Sequence, residues 1–480
     1  MNKSHYLLSI IAFLPFIFLR LARWLAIIQQ KEYRLDRFLL FLKSDEGKKD
    51  FLKLLPKAHE LNRSGLKRPV LTKRILLVAM LTTLITAGIL LVDTLYPIFI
   101  LIIFLIYLLL PLIIFIATLP TALVFELTAR KKLNQAATKI KAAKPLIIGI
   151  TGSYGKTTTK LILAHVLKQK FKTFATEKSF NTKYSLPLSI LKNYHGQEIA
   201  IIEYAAYTQG EIKFLTKYFK PNITIITGLT AQHLGLFGTV DNIIQAKAEL
   251  IRALDDKSLV FCNAIDLGSK QICQAGAATK SIAFSGDEAV VKIKDVGLNE
   301  RAELYFTWKG QKIQTKLIGE HYLDAIKASI AVAKHLKMTD QDITKALKSL
   351  KVTDYMIKLK KGKNQSLIID DGKTSNPTGF KAALDILQQF SNKKIVLITS
   401  GIVDLGKLSS EIHMEIASKA EKIVDLLLYT GLDGQEEFKS VFGARFENQK
   451  TVIKNSIQYF DENTVILIEG HIPQWVRKEL

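Results

Sequence analysis

The hydrophobic pattern divides the chain near residue 126. Before that point apolar residues come in three long runs rather than at helical or strand periods. Tyr6 to Ile28 is broken by Arg20 and Arg23. Ile75 to Val92 carries no charge, and Thr94 to Phe125 is uncharged but holds Pro97, Pro111 and Pro120. A helix needs about 20 apolar residues to span a bilayer, so these runs predict spans at 6–28, 75–92 and 95–118. The first run is the weakest. Its arginines must snorkel to one end, and a surface helix is the alternative. No small-residue cleavage site follows it, which argues against a cleaved signal peptide.

From Pro145 onward short β-branched runs alternate with helical stretches. "PLIIGI", "EIAIIEYA", "NITIITGL" and "SLVFCNA" are near-continuously apolar, as strands of a parallel sheet covered on both faces are. "TTTKLILAHVLKQK" reads as the helix after the first of them. Between 281 and 317, "SIAFSG", "AVVKIKDV", "AELYFTWKG" and "KIQTKLIG" alternate with period two, which predicts a small antiparallel sheet. The helices "HYLDAIKASIAVAKHL" and "TDQDITKALKSL" come next. They lead into a second α/β unit with strands "SLIIDD", "KIVLITS", "IVDLLLYTG" and "TVILIEG".

Charge adds a direction. The net charge is +24, of which residues 1–125 contribute +9 and the remainder +15. Residues 29–74 hold thirteen Lys or Arg against six acids, whereas only Asp93 separates the second and third runs. The stretch from Arg130 to Lys144 is also basic. The positive-inside rule then puts residues 29–74 and everything after 126 in the cytoplasm. The expected localisation is the cell membrane, multi-pass, with the later domains cytoplasmic. Anionic lipid headgroups and anionic substrates account for the basic excess. No basic run with interleaved aromatics occurs, which excludes nucleic acid as an expected partner. Cys262 and Cys273 stand eleven apart, a spacing that is no zinc framework and suits a reducing cytosol.

Candidate chemistry begins at "GITGSYGKTTTK", Gly149 to Lys160. A strand that runs into Gly152-Ser153-Tyr154-Gly155-Lys156-Thr157 and then a helix lets backbone N–H groups surround phosphate oxygens. Lys156 would reach the β- and γ-phosphates, and the Thr157 hydroxyl would bind Mg²⁺. The usual phosphate loop has four residues between its first Gly and Gly-Lys-Thr; here the position five before Gly155 is Ile150, so the loop is short. Glu203 ends the strand "IAIIEYA", at the sheet edge where ligands bind and a hard cation would accept its oxygens. Alone it would be an ordinary strand-end acid. His233 follows another strand end, and Lys247 lies on the next helix; by default these are a structural His and a solvent-facing Lys.

Taken in order and spacing, these pieces resemble the Mur ligase family, and within it the D-alanyl-D-alanine-adding branch. The strings are "TGSYGKTTTK", "SFNTKYSLPLSIL", "IIEYAAYTQGEI", "PNITIITGLTAQHLGLFGTVDNIIQAKAE", "CNAID", "GEHYLDAIKASIAVA", "IIDDGKTSNP" and "SGIVDLGKLSSEIH", from about Pro145 to His413. The short loop is the family's own form. The resemblance implies an α/β fold in three parts. These are, from the resemblance, a P-loop parallel-sheet ATPase domain with a small antiparallel insert over 144–352 and a Rossmann-like C-terminal α/β domain over 353–480, preceded by the N-terminal transmembrane helices over 1–143 that the apolar runs predict. It implies ATP and Mg²⁺, with an ATP site of Gly152, Ser153, Tyr154, Gly155, Lys156, Thr157, Thr158, Asn263, Asp370 and Asp371. Mg²⁺ would be held by Thr157, Glu203, His233 and a carbamylated Lys247. Lys156, His233 and Lys247 would be the catalytic residues.

The implied reaction is ADP-forming amide ligation in peptidoglycan assembly. ATP phosphorylates a carboxylate to an acyl phosphate, which an amine attacks. Donor and acceptor would be a muramyl peptide, possibly lipid-linked, and an amino acid or dipeptide. Several positions depart from the family pattern. Tyr322 and Ala325 replace asparagines, Asp354-Tyr355 replaces Gly-Arg, Gly372-Lys373-Thr374 stands where Tyr-Asn is typical, and Glu469-Gly470-His471 replaces Lys-Gly-Ser. Membrane-like segments occupy the place of the family's uridine-nucleotide-binding domain. Two alternatives remain: a non-catalytic nucleotide-binding scaffold, favoured by the lost Arg and Asn positions, and a ligase like the poly-γ-glutamate synthases. A transport ATPase is disfavoured, since no Ser-Gly-Gly-Gln segment is present.

Overall fold

The computed structural model describes residues 3–43, 45–53, 69–91, 96–230, 234–276, 280–373 and 375–480. Two compact units divide the chain, residues 1–131 and 132–480.

The first unit is helical, with helices Lys3–Gln30, Leu35–Lys43, Asp45–Leu52 and Lys73–Leu91, and the start of a long helix, Tyr96–Ala143. Trp24 anchors its core, with Phe38, Phe41, Val78 and Ile114 buried around it. The arginines of the first run are engaged within this unit. Arg20 donates to the carbonyls of Lys53 (2.7 Å) and Phe51 (2.9 Å), and Arg23 pairs with Asp50. Pro111 and Pro120 lie inside the long helix, which continues through both to Ala143. Among the described residues one helix, Leu101–Ala143, is long and apolar enough to cross a membrane, and 44 % of its most apolar window is buried. The expected multi-pass membrane localisation with cytoplasmic catalytic domains is corrected on this finding, since only one such helix stands among the described residues, not three.

The second unit opens on the end of that helix, whose Leu133, Ala136 and Ile140 are buried against Phe174, Leu186 and Ile190. A six-stranded parallel sheet follows. Its strands are β1 (Leu146–Thr151), β2 (Thr173–Ala175), β3 (Ile199–Glu203), β4 (Ile223–Ile226), β5 (Leu259–Asn263) and β6 (Lys280–Ser285), in the order β2-β3-β1-β4-β5-β6. Every residue of β3, β4 and β5 is buried, because helices cover both faces; that is why these strands read as unbroken apolar runs. The chain winds to one side of β1 and then crosses to β4 on the other. Such a reversal of strand order opens a crevice beyond the carboxyl ends of the strands.

A three-stranded antiparallel sheet is formed by β7 (Lys294–Leu298), β8 (Glu303–Trp308) and β9 (Gln311–Ile318). "SIAFSG" is not part of it. That segment is β6, the parallel edge strand beside β5, so four expected antiparallel strands become three. The C-terminal sheet has the order β10-β11-β15-β12-β13-β14, from β10 (Lys358–Lys361), β11 (Leu367–Asp371), β12 (Lys394–Thr399), β13 (Leu426–Tyr429), β14 (Phe446–Glu447) and β15 (Thr464–Glu469). Only β10 is antiparallel. Backbone contact between the two halves of the unit includes the Gly235 N–H donating to the Asp404 carbonyl at 3.1 Å.

Candidate active site

The loop after β1 is held open by glycine. Gly152 has φ +152°, and a Cβ there would lie 2.1 Å from Thr227 Oγ1; Gly155 has φ +72°. A side chain is excluded at the first for want of space and is strained at the second. The loop is tied to the end of β4: the Ser153 N–H donates to the Gly228 carbonyl at 2.7 Å, and Thr227 Oγ1 donates to the Tyr154 carbonyl at 2.5 Å. Among the described residues Ser153 Oγ is buried without a partner. A glycine cradle with an orphaned hydroxyl at a helix N-terminus fits a phosphate group.

Lys156 opens the helix Lys156–Leu167, and its ammonium donates to the carbonyls of Gly152 (2.7 Å) and Ser153 (3.0 Å). Burial pushes its pKa down, against the pull of Glu203. The Lys156 side chain thus folds back over its own loop.

Glu203 is 1 % exposed at the end of β3, and three side chains converge on it. Thr157 Oγ1 donates to its Oε2 at 2.9 Å, Lys160 Nζ to the same oxygen at 3.0 Å, and Asn181 Nδ2 to its Oε1 at 2.8 Å. The pairing of a hydroxyl and a carboxylate oxygen suits a hard divalent cation, so Thr157 and Glu203 fit the Mg²⁺ role implied for them. Lys160 and Asn181 were not singled out from the sequence. Lys160 lies three residues beyond Thr157 on one helix, a spacing that puts both on the same face. Asn181 belongs to "SFNTKYSLPLSIL", but nothing local links it to Glu203.

Lys247, on the helix Val240–Arg252, is 5 % exposed and does not face solvent. Burial, reinforced by the charge of Lys156, holds its amine well below the usual lysine pKa. A neutral amine is the nucleophilic form, and it is the form that CO₂ carbamylates. His233 lies outside the described residues.

A cavity of about 150 Å³ adjoins the loop, lined by Tyr154, Gly155, Thr158, His321, Asp324 and Asp371 among others. Burial pushes the Tyr154 phenol up to about 12 and the His321 imidazole down to about 4. Asn263 is fully buried and committed. It donates to the Thr227 carbonyl at 2.7 Å and to Asp324 Oδ2 at 3.2 Å, and its Oδ1 accepts from the Ile265 N–H at 3.1 Å. Asp370 is paired with Lys360 (2.5 Å) and Arg477 (3.1 Å), leaving Asp371 as the member of the acidic pair that lines the cavity.

The departures have definite structural consequences. Tyr322, where the family pattern has Asn, sets its ring 4.0 Å from that of His321 at a tilt of 43° and accepts from the Ile357 N–H at 2.8 Å. It ties the middle domain to the chain entering β10. Tyr355, at the lost arginine, lines the cavity, and Lys373 Nζ stands 6.0 Å from its ring centroid. Cys262 and Cys273 are joined in a disulfide with Cα atoms 6.2 Å apart, which corrects the reading of two reduced cysteines. Residues eleven apart meet because β5 and the helix Leu267–Cys273 pack together.

A glycine cradle that fits a phosphate, a hydroxyl–carboxylate pair and a buried lysine, in a unit with a second α/β domain, are the features of a two-domain nucleotide-dependent α/β protein. Comparison with known proteins sharpens this. A Mur ligase middle domain profile matches residues 150–333, and a Mur ligase glutamate ligase domain profile matches residues 357–472. The chain belongs to the Mur ligase family, whose members are ATP-dependent, ADP-forming amide ligases.

It is similar to the UDP-N-acetylmuramoyl-tripeptide–D-alanyl-D-alanine ligase of Bacillus subtilis, 29 % identical over 293 residues, 60 % of this chain and 63 % of the relative. With the Haemophilus influenzae protein of the same name it is 26 % identical over 68 % of this chain and 74 % of the relative. The alignment thus leaves over a third of the Bacillus relative's length unmatched. Among solved structures, the MurF ligase from Thermotoga maritima in complex with ADP aligns with TM-score 0.63 and 26 % identity over 73 % of this chain and 82 % of that one.

Proposed function

We propose that this chain is an ATP-dependent amide ligase of peptidoglycan peptide assembly. Its donor is a muramyl-tripeptide carboxylate, on a UDP or a lipid carrier, and its acceptor is D-alanyl-D-alanine or a related amine. The observation that carries the reading is the convergence of Lys156, Thr157, Glu203 and Lys247 around one glycine loop. The names of the relatives support the substrate class.

A carboxylate is a poor acyl donor because its oxygen is a poor leaving group. Phosphorylation by ATP gives an acyl phosphate, whose phosphate leaves readily when an amine attacks. The loop N–H groups of residues 154–157 bind the phosphates, and Lys156 turns from its carbonyl partners toward the transferring group, offsetting its charge. Mg²⁺, held by Thr157 and Glu203, supplies further charge neutralisation when bound. Lys247, once carbamylated, becomes an acid that supports the metal site. Asn263 orients Asp324 at the nucleotide end of the cavity. Closure of the C-terminal domain keeps water from the acyl phosphate.

The test is ADP release by the full chain with Mg²⁺-ATP and D-alanyl-D-alanine, offered UDP-linked and lipid-linked muramyl tripeptides in parallel. Amide product that depends on both substrates and is lost in Lys156→Ala supports the reading. ADP binding without turnover on either donor would instead favour a nucleotide-binding scaffold, an outcome that the missing Asn at Tyr322 keeps in view.

A further inference from the structure

Lys160 is fully buried, which a lysine in the first turns of a helix seldom is. It lies one helical turn beyond Thr157 on the helix Lys156–Leu167. Its ammonium donates to Glu203 Oε2 at 3.0 Å and to the Lys178 carbonyl. Lys178 takes φ +47°, and the residue after it brings Ser179 Oγ to 3.3 Å from Thr157 Oγ1. One charge therefore joins the carboxylate that ends β3 to the loop that follows β2.

Thr157 Oγ1 faces the same Glu203 oxygen at 2.9 Å, and Asn181 holds the other. All three partners come to the carboxylate as donors, the pattern of an ionised acid. A cation seated between Thr157 and Glu203 must share Oε2 with an ammonium already bound there. Lys156 stands within electrostatic reach of the same carboxylate. Among the described residues no group of three His, Cys, Asp or Glu gathers to offset these cations.

The charges decide what such a seat can hold. The carboxylate and the ammonium in contact with it sum to zero. Mg²⁺ gives up its water reluctantly and settles on one or two carboxylates together with substrate phosphates. A neutralised carboxylate alone offers it little. Once a polyphosphate lies on the glycine loop, its negative charges supply what the protein does not.

We propose, resting on the ligase reading above, that Lys160 keeps free Mg²⁺ out of the nucleotide-free site, so that the ion enters only with the phosphates of ATP. Lys160 is a positioning residue, acting through Glu203 rather than on the substrate. Its ammonium compensates the buried carboxylate until nucleotide arrives, and Mg²⁺-nucleotide is the species the site takes. A lysine that merely pegged the loop would have the opposite signature. Its loss would loosen the cation seat and weaken ion binding, whereas loss of a competing charge strengthens it.

The test counts ion uptake by the full chain without nucleotide. Mn²⁺, a hard cation for the same oxygens, is the probe, and electron paramagnetic resonance reads the unbound ion. Lys160→Gln keeps a hydrogen-bond donor but no charge, and Lys160→Met keeps neither. Both should bind one Mn²⁺ at least about tenfold more tightly than wild type, because a like charge in contact has gone. Adding Glu203→Gln should abolish the gain. In wild type, ADP should tighten Mn²⁺ binding by at least the same factor. Equal or weaker Mn²⁺ binding in both Lys160 variants would overturn the proposal and leave Lys160 a peg for the loop. So would wild type that takes the ion as tightly without nucleotide as in its ADP complex, a measurement that needs no variant. Wild type that binds no ADP, with or without the ion, would defeat the ligase reading instead, and the ADP titration reports that separately.

Discussion

Glu203→Gln isolates the charge at the centre of the site. The amide keeps the shape of the carboxylate, but the Lys160 ammonium, fully buried 3.0 Å away, loses its counter-charge. Breaking a buried pair by removing one partner costs about 3–5 kcal/mol, because the remaining charge is left uncompensated in a poorly solvated site. Lys160 keeps one partner, the Lys178 carbonyl, and Asn181 and Thr157 must reorient around the new amide. The lower end, about 3 kcal/mol, is therefore expected.

For a unit the size of the middle domain this corresponds to a fall in Tm on the order of 10 °C. The double variant Glu203→Gln/Lys160→Met removes both charges and should recover most of that stability, since an apolar replacement of a whole buried pair is close to neutral. It should not recover Mg²⁺-dependent nucleotide binding. Differential scanning calorimetry of the three proteins and calorimetric titration with Mg²⁺-ADP measure both effects. A single variant within about 1 kcal/mol of wild type, the ordinary range of an exposed pair, would refute the claim that this pair is desolvated.

Gly152→Ala should abolish measurable ADP binding, since its Cβ would sit 2.1 Å from Thr227 Oγ1 at φ +152°; unchanged affinity in a titration would show that the loop adapts. Tyr322→Phe leaves the buried Ile357 N–H without its acceptor and should cost about 1–3 kcal/mol in denaturant unfolding, with ADP affinity retained. Lys247→Met should reduce ligase turnover by orders of magnitude, and intact-protein mass spectrometry at native pH should find the carbamate on wild type alone. Its stability should behave in the opposite sense. Folded wild type stripped of CO₂ holds the free Lys247 amine well below its unfolded pKa, so it loses stability as pH falls from the unfolded toward the folded pKa. The Met variant lacks that term, and pH-dependent unfolding of the two proteins should show the difference.

Much of the site was legible because its parts are local. Lys156 and Thr157 stand in a turn whose glycines and flanking strand and helix are consecutive in sequence, and Glu203 ends an apolar run that could only be a buried strand. Lys160 was legible in principle, one helical turn from Thr157, but its partner was not: a lysine in the first turns of a helix ordinarily faces water. Lys247 illustrates the same limit. Its default reading was a solvent-facing residue, yet it is buried, because the helix that carries it packs its whole inner face under the site.

Tyr322 shows the converse. As a substitution it suggested only a lost contact, whereas its hydroxyl binds the backbone of the next domain. In the first unit the apolar runs coincide with helices, and the third helix runs on to Ala143 because proline tolerated within a long helix leaves no local stop signal.

The sequence by itself determined the alternation of strands and helices, the parallel character of the middle sheet and the phosphate loop, since each is written in the period and turn chemistry of neighbouring residues. Only the tertiary structure decided which distant groups meet. Asp371 and Glu469 are 98 residues apart and become neighbours because β15 inserts between β11 and β12. Lys160, Asn181 and Thr157 reach Glu203 because β3 lies beside β1. That choice of neighbours depends on how whole strands bury their apolar faces together, a property of the complete sheet that no single segment carries.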